Sequence, residues 1–311
     1  MKQSEKWMRG LPYVGNKGQK AQQIIDALPA GGRFIDVFGG GGSISLTAAH
    51  SDKWGEVIYN DRLKTVVELL HALITDKPHV DLMKYVLITR EQFFDWRDNQ
   101  PDSIERTLVL LCWSFSNDMM TYLWGKKIES EKQLMTRALF YGDTSTELDT
   151  IYPLAKTENT IFGKYAVYHR WRRDRCEQLE RLQQLERLQQ LEQLERLQRL
   201  EQLQQLERLQ RLQRLQFSTL DYRDLVIKPN DIVYLDPPYL GTEHQYGGFD
   251  QDEFQRWLSQ CPAKNIFISE YTKLPHTKVA FNLGKKPSFT VANRAKEELL
   301  LRYVGTDHAK G

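Results

Sequence analysis

Phe34-Ile35-Asp36-Val37-Phe38-Gly39-Gly40-Gly41-Gly42-Ser43-Ile44-Ser45-Leu46-Thr47-Ala48-Ala49 decides the fold. Its first five residues read as a buried strand, the glycines as a turn and 43–50 as a helix. Strand, glycine turn and helix begin a βαβ unit, in which glycines admit a ligand close to the backbone and the helix start offers free N–H groups. No Lys-Ser or Lys-Thr closes the run, so it is not a P-loop. Nor does Gly39 to Gly42 carry the Gly-x-Gly-x-x-Gly phase of a dinucleotide site. A second strand, Val57-Ile58-Tyr59-Asn60, ends in Asp61, where a carboxylate can meet ribose hydroxyls or cap the helix expected at 62–75. Asp36 likewise stands either for ligand contact or for a cap on the helix at Ser43.

Some two hundred residues on, the apolar run Ile232-Val233-Tyr234-Leu235 delivers Asp236-Pro237-Pro238-Tyr239. Asp236 can accept a hydrogen bond from an exocyclic amine, and Tyr239 offers a face for stacking. Pro238 fixes its own φ and biases Pro237 towards an extended form, so the loop is stiff. The tetrapeptide arises by chance in roughly one in a thousand chains of this length, which makes it a strong lead.

These two elements together resemble the S-adenosylmethionine-dependent DNA adenine N6-methyltransferases of the Dam-like, D12 class. Leu11-Pro12-Tyr13-Val14-Gly15-Asn16-Lys17 is similar to that family's opening motif, Leu220-Asp221-Tyr222 to its acidic motif, and Asn265 to Tyr271 to the strand after its catalytic loop. The resemblance implies a doubly wound, mainly parallel seven-stranded sheet ending in an antiparallel hairpin, with an inserted helical target-recognition subdomain. It implies that Tyr13, Lys17, Asp36, Phe38, Gly39, Gly40, Gly41, Asp61, Asp221 and Asp236 surround S-adenosylmethionine. Asp236, Pro237, Pro238 and Tyr239 would act on an adenine flipped out of duplex DNA. Asp221 also reads as an ordinary turn start and Lys17 as a surface charge.

Composition agrees. A chain of 311 residues can bury a full α/β core with one inserted subdomain. Cys112, Cys176 and Cys261 are widely spaced, which points to reduced thiols in a cytoplasmic protein; the resemblance implies a bacterial or phage-infected cell and association with the nucleoid. No apolar run is long enough to span a bilayer, and the scattered histidines give no metal pattern. A net charge of +2 means that DNA binding needs local clustering. Lys126 and Lys127, with Arg170, Arg172 and Arg173 in an aromatic-rich run from Lys164 to Arg175, supply it, while Ser116 and Asn117 can read base edges. For any one of these residues a solvated helix face with inward aromatics is the alternative. For 112–175 as a whole, the position between the cofactor loop and the catalytic loop favours target recognition, as the resemblance implies.

Between Leu179 and Leu215 a leucine stands at every third position, separated by Gln, Glu and Arg. On a helix of 3.6 residues per turn that stripe rotates by about 60° per step, so no single straight partner covers it. The tract reads as a helical insertion, either without a chemical role or serving self-association.

The expected organisation is a catalytic domain of residues 1–75 and 217–311, a recognition subdomain at 76–178 and the tract at 179–216. Strands are expected at 34–38, 57–61, 217–220, 232–236, 265–270 and 298–304, with 272–297 loop-like. Two rivals remain: an amino-group methyltransferase acting on RNA, cytosine N4 or protein glutamine, and a non-catalytic assembly protein. A restriction partner and the recognition sequence are not encoded in these motifs.

Overall fold

The computed structural model describes residues 10–143, 151–181, 215–238, 249–285 and 297–305. They divide into two units. One takes Gly10, Gly15–Ile74 and the described residues from Leu215 on; the other takes Leu11–Val14 and Thr75 through Arg181.

The first unit is a mixed α/β structure around a seven-stranded, mostly parallel sheet. Its strands are β1 (Gly31–Asp36), β2 (Trp54–Asn60), β3 (Leu215–Ser218), β4 (Ile232–Leu235), β5 (Asn265–Glu270), β6 (Thr277–Lys285) and β7 (Glu297–Tyr303). They lie in the order β3-β2-β1-β4-β5-β7-β6. The first five run parallel, and β7 is antiparallel to both β5 and β6. Central strands buried on both faces read as continuous apolar runs, as Ile232-Val233-Tyr234-Leu235 does.

From β1 the chain builds outwards to β2 and β3 on one side and to β4 and β5 on the other. That reversal opens a crevice at the carboxyl ends of β1 and β4, where ligands of open α/β sheets bind. Helices α1 (Ala21–Ala27), α2 (Ser43–His50) and α3 (Lys64–Thr75) follow or precede the first strands. Val66, Val67, Leu69, Leu70 and Leu73 give α3 its buried face.

Three expectations are corrected. Within the segment 272–297, Thr277–Lys285 form the strand β6 and not a loop; its pairing carries two register shifts, Val279 and Phe281 are exposed, and residues 286–296 lie outside the described ones. The third strand begins at Leu215 and ends at Ser218, not at 217–220. Leu215 pairs with Val57 and is buried, so the last leucine of the repeat belongs to the sheet. Its residues 182–214 lie outside the described ones.

The second unit holds α4 (Arg90–Asp98), α5 (Ile104–Trp113), α6 (Glu129–Tyr141), α7 (Ile151–Ala155) and α8 (Ile161–Arg181). A capping box of Thr89 and Gln92 starts α4, and Ser103 caps α5. After α5 the chain doubles back in a hairpin. Phe115 N–H donates to the Thr121 carbonyl at 2.7 Å and Leu123 N–H to Trp113 at 2.8 Å. Trp113, Tyr122 and Trp124 pack ring against ring behind it. In the first unit, α9 (Gln251–Gln260) covers the sheet with Phe254 and Leu258. No helix among the described residues is long and apolar enough to cross a membrane.

Candidate active site

The glycine loop leaves the sheet where Val37 N–H donates to the Tyr234 carbonyl at 3.1 Å. Gly39 N–H meets the Asn60 carbonyl at 2.7 Å, and the Tyr59 hydroxyl donates to the Gly40 carbonyl at 2.7 Å. A Cβ at Gly39 would lie 2.2 Å from the Tyr59 ring, so the close approach of loop and β2 requires glycine. Gly42 is the N-cap of α2 at φ +80°, with no side-chain cap. Asp36 reaches the first turn of this helix through Ser45, whose hydroxyl and backbone N–H both pull its carboxyl down. Its Oδ2 accepts from the Ser45 hydroxyl at 2.6 Å, while Oδ1 is buried without a hydrogen-bond partner among the described residues. Burial lifts the Asp36 carboxyl to about 7; the Ser45 bond offsets part of this, and Asp236 and Asp61 add to it.

Asp61 binds the loop from below. Its Oδ2 accepts from Gly40 N–H and its Oδ1 from Leu63 N–H, both at 2.8 Å, so it turns the chain into α3 while holding the glycines. Burial raises its carboxyl, with those two N–H groups pulling the other way. Asn60, which sequence reasoning used only as a strand end, ties three segments together. Its amide donates to the Val37 and Leu220 carbonyls at 3.0 Å and accepts from Leu220 N–H at 3.0 Å. Asp221 begins a short turn and is gripped by Arg223, Nε to Oδ1 at 2.7 Å and Nη2 to Oδ2 at 3.0 Å. That hydrogen bonding holds its carboxyl below the usual range. Phe38 lies among Tyr222, Phe249 and Phe254, with ring centres 5.6 to 6.0 Å apart.

Asp236 follows β4 directly, at the same carboxyl edge as Asp36. Its Oδ2 takes the ammonium of Lys17 at 2.6 Å. Pro238 is pinned from α9, where Gln251 Nε2 donates to its carbonyl at 3.0 Å. Lys17 is buried, not a surface charge. Burial presses its ammonium down, but Asp236 and Glu298 more than offset this, leaving it above the ordinary lysine range. Lys20 and Glu298 complete the cluster, and neither was singled out in the sequence. The available signal for Glu298 was parity: on β7 it shares its alternation with buried Leu300. Tyr239 lies outside the described residues.

Tyr13 is half-buried and groups with the second unit. There, Ser116 and Asn117 sit at the hairpin turn with φ of +54° and +58°. The Asn117 amide nitrogen is committed to the Leu111 carbonyl at 2.9 Å. Lys126, Lys127, Arg170 and Arg173 are exposed; the Arg172 side chain is not among those described. On α8, Val167, Tyr168 and Trp171 turn inwards, while Arg170 and Arg173 are exposed. Lys164 is buried, donates to the Ala155 carbonyl at 3.0 Å and lies over the Phe140 ring.

A glycine turn and an Asp-Pro-Pro loop meeting at the switch point of a seven-stranded sheet, with an antiparallel final hairpin, are consistent with a methyltransferase fold. Residues 13–264 match the family model D12 class N6 adenine-specific DNA methyltransferase, and the chain belongs to that family. It is an enzyme, and its reaction is methylation of adenine N6 in DNA.

Proposed function

We propose that S-adenosylmethionine is the methyl donor and that Asp236 and the Pro237 carbonyl receive the two N–H groups of a flipped-out adenine. The support for the donor lies in the loop. A buried Asp36 oxygen without a partner among the described residues, beside glycines packed against Tyr59, suits a ligand carrying positive charge and hydrogen-bond donors. Asp36, Phe38, Gly39, Gly40, Gly41, Asp61 and Asp221 would hold it, with Lys17 covering it. Bound there, it supplies a methyl group on a positively charged sulfur.

Adenine N6 is a poor nucleophile because its lone pair is delocalised into the ring. Acceptors at Asp236 and Pro237 favour a pyramidal nitrogen with that pair aimed for in-line attack. Their value lies in being fixed beforehand, and the Lys17 ion pair and the Gln251 hydrogen bond supply that rigidity. Tyr239 stacks on the extruded ring.

The second unit is the DNA-binding subdomain in this reading. Phe115 and Met120, 60% and 59% exposed, stand on a hairpin whose Ser116, Asn117 and Met119 all have positive φ, a conformation that folds keep where it serves a site. Lys126, Lys127, Arg170, Arg172 and Arg173 supply phosphate contacts. The single observation that carries the proposal is the Lys17–Asp236 pair at the mouth of the crevice. Transfer of labelled methyl from S-adenosylmethionine to unmethylated duplex, with wild type and Asp236→Ala, tests it. N6-methyladenine from the wild type alone is expected; equal labelling by both proteins would remove Asp236 from the reaction.

A further inference from the structure

Glu298 lies beyond the residues matched to the family, which end at 264, yet it is 1% exposed and belongs to the ionic cluster beside Asp236. Its place follows from topology. Because β7 runs antiparallel to β5, with Leu299 opposite Glu270, the first residues of β7 arrive at the carboxyl edge of the parallel strands. Glu298 Oε1 is 3.4 Å from Lys17 Nζ, and its Oε2 is 2.8 Å from Lys20 Nζ. Across the ladder stands Gly284, at φ +73° next to a register shift in β6, and its carbonyl accepts from Lys20 at 3.1 Å. Strand irregularity thus serves the same cluster, since a bulge re-aims a backbone group. Burying a carboxylate is costly, and partners built around it are what make it tolerable. One of those partners is the ammonium that meets Asp236.

We propose that Glu298 is a positioning residue for methyl transfer, holding Lys17 against Asp236 so that this carboxylate faces the target amine in one orientation. The inference rests on Asp236 receiving that amine. Lys17 has a flexible four-carbon stem, and a carboxylate on either side of its ammonium fixes what the stem cannot. Among the described residues, the charged groups about this centre include Asp236 after β4, Glu298 on β7, Lys20 before α1 and the buried Glu270 at the end of β5. Tyr234 on β4, Tyr271 after β5 and Asp36 at the end of β1 respond to the same charges. Glu298 also helps to keep Lys17 protonated against its burial.

The test compares kcat of Glu298→Gln with that of wild type, on duplex DNA with saturating S-adenosylmethionine, from pH 7.5 to about 10. Taking the ratio cancels titration of the DNA itself. The expected result is a kcat lowered about tenfold at pH 7.5 with KM for DNA within about twofold, and a ratio that falls further with rising pH as Lys17 loses its proton earlier. Glu298→Asp keeps the charge and should recover part of the loss. A ratio that stays flat with pH, or a wild-type kcat, overturns the proposal; a purely structural role would lower kcat without tilting the ratio. If Glu298→Gln does not fold, the same ratio is read on Glu298→Asp, where a smaller downward slope supports the proposal and a flat one overturns it. Asp236→Ala runs alongside. If it is inactive while Glu298→Gln behaves as wild type, only the Glu298 role falls; if it is active, the assignment beneath both falls.

Discussion

Ser45 Oγ lies 2.6 Å from Asp36 Oδ2, and this hydroxyl is the hydrogen-bond donor that the buried carboxyl has among the described side chains. The group is costly to the fold: its acidity is moved from 3.8 to about 7, mainly by burial. Between those values the folded protein binds a proton that the unfolded chain has released, so this residue lowers stability as pH rises from 3.8 to about 7.

Asp36→Asn should therefore stabilise the ligand-free protein at pH 8, by about 2–4 kcal/mol, and have little effect near pH 4. Thermal or urea unfolding at both pH values measures this. A substitution equally stabilising at both would trace the effect to packing instead. Methylation should fall in the same variant, as expected where a strained charge is kept for a ligand.

Gly39→Ala would drive a methyl group to 2.2 Å from the Tyr59 ring. Relief requires moving Tyr59, whose hydroxyl holds the Gly40 carbonyl, so the loop opens. A loss of about 1–3 kcal/mol in stability is expected. Calorimetric titration with S-adenosylmethionine should show at least a tenfold weaker site, and unchanged affinity would separate the loop from the donor.

Lys17→Met removes the ammonium from between Asp236 and Glu298. Taking one partner from a buried ion pair costs about 3–5 kcal/mol. Since the Lys17 pKa is raised on folding, its contribution is complete below the ordinary lysine value and disappears as pH climbs past the raised one. The stability gap between wild type and variant should accordingly be constant from pH 7 to 9 and narrow only in strong alkali. Denaturant melts across that range would show it.

Lys126→Ala with Lys127→Ala addresses the exposed cations after the hairpin. Binding to duplexes of any sequence should weaken, and the slope of log affinity against log salt should fall by about 2. A change confined to one target sequence would instead make them readers of bases.

The sheet was legible because its strands are apolar runs with punctuated ends: α2 starts at Ser43 and β5 spans Asn265–Glu270, as the sequence predicts. Reading failed where one residue type served two patterns. Leu215 continues a leucine period and is also the first inward residue of β3, and pairing with Val57 decides between them. In β6, Val279 and Phe281 face solvent beside register shifts, so alternation gave no clean signal. The site divided in the same way. Asp36, Asp61 and Asp236 stand at strand ends, where local sequence points to them. Glu298 and Lys20 are joined by a contact spanning 278 positions, and no local pattern announces such a pair.

The direction of β7 also has a bearing on how the molecule is made. Strands β1 to β5 supply the glycine turn and Asp236, but the counter-charge of Lys20 arrives only when Glu298 leaves the ribosome. Until then two lysines from the beginning of the chain have one fewer carboxylate on which to settle, and the crevice is assembled without its fourth charge. Synthesis order thus leaves this charge cluster incomplete until β7, which lies between β5 and β6 in the sheet, has been translated.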